Sequence, residues 1–274
     1  MTSTAHTHTL TLTLDSGDVD LTYGVDERGD GRPFLLLHGG GGPATVAGFA
    51  GLLADQRAAR VITPVHPGFG GTTRPDWLTG VPALARIYVR LLDELGLSGV
   101  TVVGNSIGGW IAAEMALLGS DRISGVVLVN AVGVDVPGHP VADPFTLTPA
   151  ELSVLSFHDV EKFRIDPSTF SDEQRAAAAA NRAALQVYSG PYAMADPTLR
   201  ERLAKVTHPV LVAWGESDQV CDTAYGQAYA AAIPGARFEL LPGTGHMPQI
   251  ETPEQLLTTV WDFADVHSAH RSGD

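Results

Sequence analysis

The chain has 274 residues, 44% apolar and 18% charged, which is enough to bury a large core in one large domain or two small ones. Its 17 basic and 31 acidic residues give a net charge of −14, which repels nucleic-acid phosphates and anionic membrane surfaces. Nucleic acid and membrane are therefore not expected as partners, and no apolar run is long enough to span a bilayer.

Two features, the first residues and the cysteine count, predict a cytoplasmic location. The first residues, MTSTAHTHTL, lack the basic patch and the apolar stretch of a secretory signal. Cys221 is the single cysteine, so an internal disulfide is excluded, which is typical of a reducing compartment.

The first predicted elements form a hairpin. Residues 9–14, TLTLTL, alternate leucine with threonine, as in a strand with one buried face. The turn DSGD follows, and residues 19–23 repeat the alternation.

From residue 34 onward, short apolar runs alternate with helical patterns. The runs FLLL, RVITPV, VTVV, GVVLV, VLVAW and FELL are typical of strands buried on both faces. Helices are predicted at 81–95, at 107–118 and after TPEQ at 252–255, which has the sequence of a capping box. This alternation predicts an α/β fold with a doubly wound, mostly parallel sheet that is antiparallel at its N-terminal edge.

Residues 135–205 interrupt the alternation because they contain no buried strand. Capping boxes at 148–151 (TPAE) and 171–174 (SDEQ) predict helices there, so this segment is interpreted as a helical cap. The core then comprises residues 1–134 and 206–266, and residues 267–274 form a polar tail.

A glycine-rich turn follows the strand predicted at 100–103. Residues 104–108, GNSIG, match G-x-S-x-G with Ser106 at its centre. In such a nucleophile elbow, the serine hydroxyl is lifted out of the sheet toward the N-terminus of the next helix, whose free amides suit a developing oxyanion.

Four motifs occur in order along the chain. They are LLLHGGGG (35–42), HPGFGGT (66–72), GNSIGG (104–109), and WGESDQVC (214–221) with GTGHMPQIETPEQ (243–255). With these motifs, residues 9–266 resemble the α/β-hydrolase family, in which a cap insertion follows the sixth strand. The resemblance implies that fold and serine-dependent hydrolysis.

The resemblance also implies a catalytic triad of Ser106, Asp218 and His246. A serine hydroxyl needs a base, and the family places its histidine in the loop that holds His246, with the chain order Ser, Asp, His. Asp218 follows the strand VLVAW at the position of the family's acid, where it would hold the imidazole in one tautomer. Glu216 and Asp135 remain alternatives for the acid.

The glycine run after His38 resembles the family's oxyanion loop. The resemblance implies that the amides of Gly40 and Ile107 form the oxyanion hole, with Gly39 as the alternative to Gly40; one such donor is worth about 3 kcal/mol of transition-state stabilisation. His38 is expected to brace the loop. A phosphate-binding loop would need a G-K-[ST] ending, which the run lacks.

A serine at the elbow, in place of the aspartate of the epoxide and haloalkane hydrolases, predicts acyl chemistry. The expected substrate is a small or medium, largely apolar carboxylic ester, lactone or thioester, cleaved through an acyl-enzyme. Predicted substrate contacts are Gly39, Asn105, Tyr188, Tyr192 and Met247. No metal site and no cofactor are predicted, and the sequence does not indicate an oligomeric state.

Two other functions stay open. HGGGG and GNSIGG also resemble the family's carbon–carbon bond hydrolases of vinylogous diketones, although those usually carry tryptophan where this chain has Met247. A ligand-binding or cyclase-like protein of the same fold, without net hydrolysis, is the other alternative, because a fold does not fix a function.

Overall fold

A computed structural model gives the fold and describes residues 6–27, 31–163, 166–192 and 194–268. The strands are β1 (His6–Leu14), β2 (Gly17–Glu27), β3 (Arg32–Leu37), β4 (Ala59–Pro64), β5 (Val100–Asn105), β6 (Ile123–Val129), β7 (Gly133–Val134), β8 (Ala195–Asp196), β9 (Val210–Gly215) and β10 (Arg237–Leu241). The helices are α1 (Ala44–Gln56), α2 (Val81–Glu94), α3 (Ile107–Leu118), α4 (Pro149–Ser156), α5 (Val160–Phe163), α6 (Asp172–Ser189), α7 (Leu199–Arg202), α8 (Thr223–Ala231), α9 (Pro248–Glu251) and α10 (Pro253–Ser268).

Eight strands form one sheet in the order β1-β2-β4-β3-β5-β6-β9-β10. The first two strands pair antiparallel, as do β2 and β4, and every later pair in this sheet is parallel. The predicted α/β fold with a doubly wound, mostly parallel sheet is confirmed, including its antiparallel N-terminal edge. The order places β6 between β5, which leads to Ser106, and β9, which leads to Asp218.

The sheet separates two apolar clusters because successive side chains of a strand point to opposite faces. On β3, Phe34 and Leu36 belong to the cluster that α1 and α10 cover, whereas Leu35 and Leu37 belong to the cluster with α2, α3 and α8. All four are at most 3% exposed. Burial on both faces explains why the strands are continuous apolar runs rather than alternating ones.

The predicted cap segment, residues 135–205, contains α4, α5, α6 and α7. Both of its capping boxes are confirmed: Thr148 and Ser171 each accept a hydrogen bond from the backbone amide three residues later, and the side chains of Glu151 and Gln174 bond back. These caps fix where α4 and α6 begin.

An ion-pair cluster holds the end of this segment to the core. The Arg202 guanidinium contacts both carboxylate oxygens of Glu114 on α3, at 2.8 and 2.6 Å, and Asp196 at 2.6 Å. Glu114 is only 5% exposed, and the bidentate contact with Arg202 gives its carboxylate group two hydrogen-bond donors in the protein interior.

At the capping box predicted at 252–255, the side chains of Thr252 and Gln255 bond to Thr244. Helix α10 begins right after Thr252, but the Thr252 hydroxyl lies 2.8 Å from the Thr244 hydroxyl, and Gln255 Oε1 accepts a hydrogen bond from Thr244. Both side chains therefore bind the loop before the helix, because a tertiary partner competes with the local cap.

The last helix extends to Ser268, two residues into the predicted polar tail; residues 269–274 of that tail lie outside the described part of the chain. Within the described ranges, no helix combines the length and the apolarity required to cross a lipid bilayer.

Candidate active site

Ser106 lies on the sharp turn between β5 and α3. Its backbone has φ 57° and ψ −119°, a positive φ that is rare and strained for a residue with a side chain. The strain is held in place because the Ser106 amide donates to the Val129 carbonyl at 3.0 Å and its carbonyl accepts from Trp110 and Val132. The turn leaves the side chain half-buried.

The glycines around Ser106 are required by close backbone approach. A Cβ on Gly104 would lie 2.1 Å from the Gly108 carbonyl oxygen, and one on Gly108 would lie 2.3 Å from the Leu37 carbonyl oxygen. A Cβ on Gly109 would lie 2.5 Å from the Ala131 Cβ. Each distance is far below van der Waals contact, so the spacing of small residues in G-x-S-x-G follows from packing of α3 against the sheet.

Asp218 and His246 meet at the carboxyl end of the sheet. His246 Nδ1 lies 2.8 Å from Asp218 Oδ2, and the two residues are 7% and 3% exposed. The other carboxylate oxygen accepts from the amides of Val220 at 2.8 Å and Cys221 at 3.2 Å. A carboxylate only accepts here, so Nδ1 carries the proton and Nε2 carries the lone pair of a base.

The two alternative acids lie elsewhere. Glu216 is exposed and accepts a hydrogen bond from the Gly243 amide at 3.1 Å. Asp135 is exposed as well. Of the three carboxylates proposed from the sequence, Asp218 is the one whose side chain is bonded to His246.

Asn105 connects the serine turn to the histidine loop. Its amide nitrogen donates to the His246 carbonyl at 2.9 Å and to the Val129 carbonyl at 3.3 Å, and its oxygen accepts from Gln249 at 3.1 Å. The Asn105 side chain is 4% exposed and both ends of its amide are bonded to protein partners, and its substrate contact stays a prediction. Because Asn105 directly precedes Ser106, its bond to the His246 carbonyl brings the histidine loop close to the serine turn.

The hydrogen bonds of the described residues do not include one between the Ser106 hydroxyl and the His246 ring. In the absence of substrate, such catalytic hydrogen bonds are often long and tighten only in the reacting complex.

The glycine loop after β3 packs against the serine turn. A Cβ on Gly39 would lie 3.0 Å from Asn105 Oδ1 and 3.3 Å from Ser106 Cβ. The Gly39 carbonyl accepts from the Gly42 amide at 3.1 Å and from His38 Nδ1 at 2.8 Å. Since the C=O and N–H of one peptide point in opposite directions, these bonds turn the Gly40 amide away from the loop interior. The Ile107 amide opens α3, where the first amides have no partner within the helix.

Two buried histidines support this loop. The His66 amide donates to His38 Nε2 at 3.1 Å, and His66 Nε2 donates to the His38 carbonyl at 2.9 Å. The rings stack with centroids 3.7 Å apart, and the Tyr88 hydroxyl bonds to His66 Nδ1. Burial lowers the pKa of His38 from 6.5 to about 4 and lowers the pKa of His66 well below 6.5. Both rings are therefore neutral at pH 7, and the expected bracing role of His38 agrees with these contacts.

The model of the alpha/beta hydrolase family matches residues 34–259. The chain belongs to the α/β-hydrolase family. It is 28% identical over 265 residues to a 2-hydroxymuconate semialdehyde hydrolase from Pseudomonas putida, covering 90% of this chain and 92% of that protein. It is also 29% identical over 277 residues to Lipase 3 from Moraxella sp. (strain TA144), covering 96% and 84%.

Solved structures show the same fold. A thermophilic esterase from Thermogutta terrifontis superposes with a TM-score of 0.70 at 24% identity, covering 95% of this chain and 99% of that one. The relatives support a hydrolase function in general, and their names include both a lipase and a semialdehyde hydrolase.

In this α/β hydrolase, the cap residues predicted to contact substrate divide by burial. Tyr188 is 1% exposed, donates to the Pro67 carbonyl at 2.8 Å and stacks on Phe69, so it packs the cap segment onto the core. Tyr192 is 61% exposed at the surface. The Tyr188 hydroxyl is thus bonded within the protein and the Tyr192 ring faces solvent, and their substrate contacts stay predictions. Met247 is half-buried beside His246 and stays a prediction.

Helix α6 also lies over the glycine loop, which the sequence did not indicate. Asn181 donates to the Gly41 carbonyl at 3.1 Å and accepts from the Gly70 amide at 2.8 Å. A Cβ on Gly40 would lie 2.8 Å from Leu185 Cδ2. The cap segment therefore contacts the loop directly at the predicted oxyanion hole.

One group of metal-ligating side chains occurs among the described residues. Asp218, Cys221 and His246 place their ligand atoms within 4.8 Å of one another, although no metal site was predicted. Burial and the Asp218 charge raise the pKa of the Cys221 thiol well above 9. Metal binding needs the thiolate, so a protonated thiol, 3.5 Å from Asp218 Oδ2, fits a weak hydrogen-bond donor better than a metal ligand.

Sequence reasoning missed Asn130, the residue that follows β6. It is 0% exposed, and its amide nitrogen lies 2.6 Å from Asp218 Oδ2. The available signal was a lone asparagine directly after the apolar run GVVLV, at the carboxyl end of a buried strand.

Proposed function

We propose that this α/β hydrolase is a cofactor-independent serine hydrolase that cleaves a small or medium, largely apolar carboxylic ester, lactone or thioester through an acyl-enzyme. The observation that carries the proposal is the strained φ of 57° at Ser106, on a turn that is bonded through Asn105 to the loop of His246. His246 is in turn held by Asp218 at 2.8 Å. A nucleophile, a base and a residue that orients the base are the parts that this chemistry requires.

In the proposed reaction, Ser106 Oγ attacks the substrate carbonyl while His246 Nε2 takes the hydroxyl proton. The carbonyl oxygen becomes an oxyanion that the amides of Gly40 and Ile107 stabilise. His246 then gives its proton to the leaving group, and the acyl group stays on Ser106. Water attacks this ester in the same way and releases the acid, while Asp218 stays ionised and stabilises the imidazolium.

A fluorophosphonate probe tests for the activated serine. We expect the wild-type chain to be labelled and Ser106→Ala to remain unlabelled, because the probe reacts only with an activated nucleophile. Ser153→Ala is the matched control, since Ser153 is a buried serine on α4 (7% exposed), and it should be labelled like wild type. A folded wild-type chain that is not labelled would refute the proposal and favour the ligand-binding alternative.

Carbon–carbon bond hydrolysis is the second candidate. It is favoured by the similarity to the 2-hydroxymuconate semialdehyde hydrolase over 90% of this chain. Aryl esters of increasing acyl length and a vinylogous diketone, assayed on the same preparation, separate the two. We expect kcat/KM to be higher for a short or medium acyl ester; the reverse order would assign the chain to the carbon–carbon class.

A further inference from the structure

Asn130 stands between the strands that carry the proposed nucleophile and the proposed acid. It directly follows β6, which lies between β5 and β9 in the sheet. Its backbone has φ 46°, a left-handed conformation, and its backbone N–H donates to the Ala213 carbonyl at 3.0 Å. Asparagine adopts this conformation more readily than most non-glycine residues, so it can place a polar side chain at this buried turn.

The Asn130 side chain can adopt only one orientation. Its oxygen accepts from the Gly215 amide at 3.3 Å, and its nitrogen donates to Asp218 Oδ2 at 2.6 Å. Because a backbone amide can only donate and a carboxylate can only accept, a flipped amide would lose both bonds.

The same carboxylate oxygen accepts from His246 Nδ1 at 2.8 Å. The other oxygen is held by the amides of Val220 and Cys221. With donors on both oxygens, the Asp218 carboxylate cannot rotate about its Cβ–Cγ bond without losing hydrogen bonds in a buried site.

We infer that Asn130 is a positioning residue that locks the Asp218 carboxylate so that Oδ2 faces His246. The expected effect on rate rests on the proposed function, whereas the expected effect on the hydrogen bond between Asp218 and His246 does not. In this assignment Asn130 acts on the reaction through Asp218.

Two variants test the assignment. Asn130→Gly removes the side-chain amide, and glycine adopts the left-handed backbone without strain, so any effect comes from the lost side chain. We expect kcat on an acyl ester to fall about tenfold or more with KM within about twofold, because a hydrogen bond to a charged group is lost. Asn130→Asp keeps the shape but faces Asp218 Oδ2 with a second carboxylate, so the bond to Asp218 survives only while the pair shares a proton.

For Asn130→Asp we therefore expect the kcat/KM profile to show an additional ionisation, that of the carboxylate pair, which the wild-type profile lacks. The titratable side chains that contact the His246 ring among the described residues are Asp218 and Cys221. Ser124→Ala is the matched control, because Ser124 is buried on β6, the strand before Asn130, but bonds to the Gly99 carbonyl, and it should leave both rate and profile unchanged. Unchanged rate and profile in both Asn130 variants would overturn the inference.

Nuclear magnetic resonance of the His246 Nδ1 proton separates this inference from the proposed function. We expect its downfield resonance to shift or broaden in Asn130→Gly and Asn130→Asp but not in Ser124→Ala, whether or not the chain hydrolyses esters. An unaltered resonance in both folded Asn130 variants would refute the positioning role, whereas a wild-type chain without fluorophosphonate labelling would refute only the hydrolase proposal.

Discussion

Acidification is expected to destabilise this protein through His38 and His66, whose side chains are fully buried. Burial lowers the pKa of His38 from 6.5 to about 4, so the unfolded chain takes up a proton at a pH where the folded chain does not. Stability is then fully present above pH 6.5 and is lost as the pH falls toward 4. His66, whose pKa is lowered by burial and by the charge of His38, acts in the same direction.

The shift at His38 sets the size of the effect. It corresponds to about 3 kcal/mol over the whole range and to about 2 kcal/mol between pH 7 and pH 5. Urea unfolding at pH 7, 6 and 5 measures it as a fall in the free energy of unfolding. His66 adds to that fall.

The matched variants are His38→Asn and His8→Asn. The asparagine nitrogen at position 38 can replace Nδ1 as the donor to Gly39 but does not titrate, so the pH slope should become shallower, even if stability at pH 7 is lower. His8 is exposed on β1, and its replacement should leave the slope as in wild type. Equal slopes for His38→Asn and wild type would refute the assignment of acid sensitivity to this ring.

Two further predictions concern the acid and the cap segment. Asp218→Asn should lower kcat on an activated ester by about 10⁴-fold because the tautomer of the base is lost, whereas Glu216→Gln should change it by less than about threefold; equal losses would refute the choice of acid. Arg202→Met should lower the free energy of unfolding by about 2 kcal/mol because Glu114 would be left buried without its cation, and adding Glu114→Gln should recover part of the loss in a double-mutant cycle.

Much of the fold could be predicted from the sequence because burial on both faces and helical periodicity are local patterns. The continuous apolar strands and both cap-segment capping boxes are examples. The turn around Ser106 was also predictable, since the glycines that backbone approach requires lie within a few residues of the serine.

Side-chain direction was not predictable in the same way. Asn105 and Tyr188 were expected to face substrate, yet tertiary partners far along the chain take up their polar atoms. Asn130 was overlooked because its importance depends on the order of the strands, which brings β6 between β5 and β9. The sequence pattern specifies neither the rotamer of a side chain nor the residues that the fold places beside it.

The stretch from residue 155 to 159 is bonded to both loops of the site. The backbone amide of Gln219 donates to the Leu155 carbonyl at 3.0 Å, and the backbone amide of His246 donates to the Ser156 carbonyl at 2.7 Å. The Glu251 carboxylate bridges the amides of Asp159 and Gly245, at 2.8 and 2.7 Å. A chimera that receives the insertion of another family member will therefore keep its acid and base aligned only if this native stretch is retained and the graft begins after it.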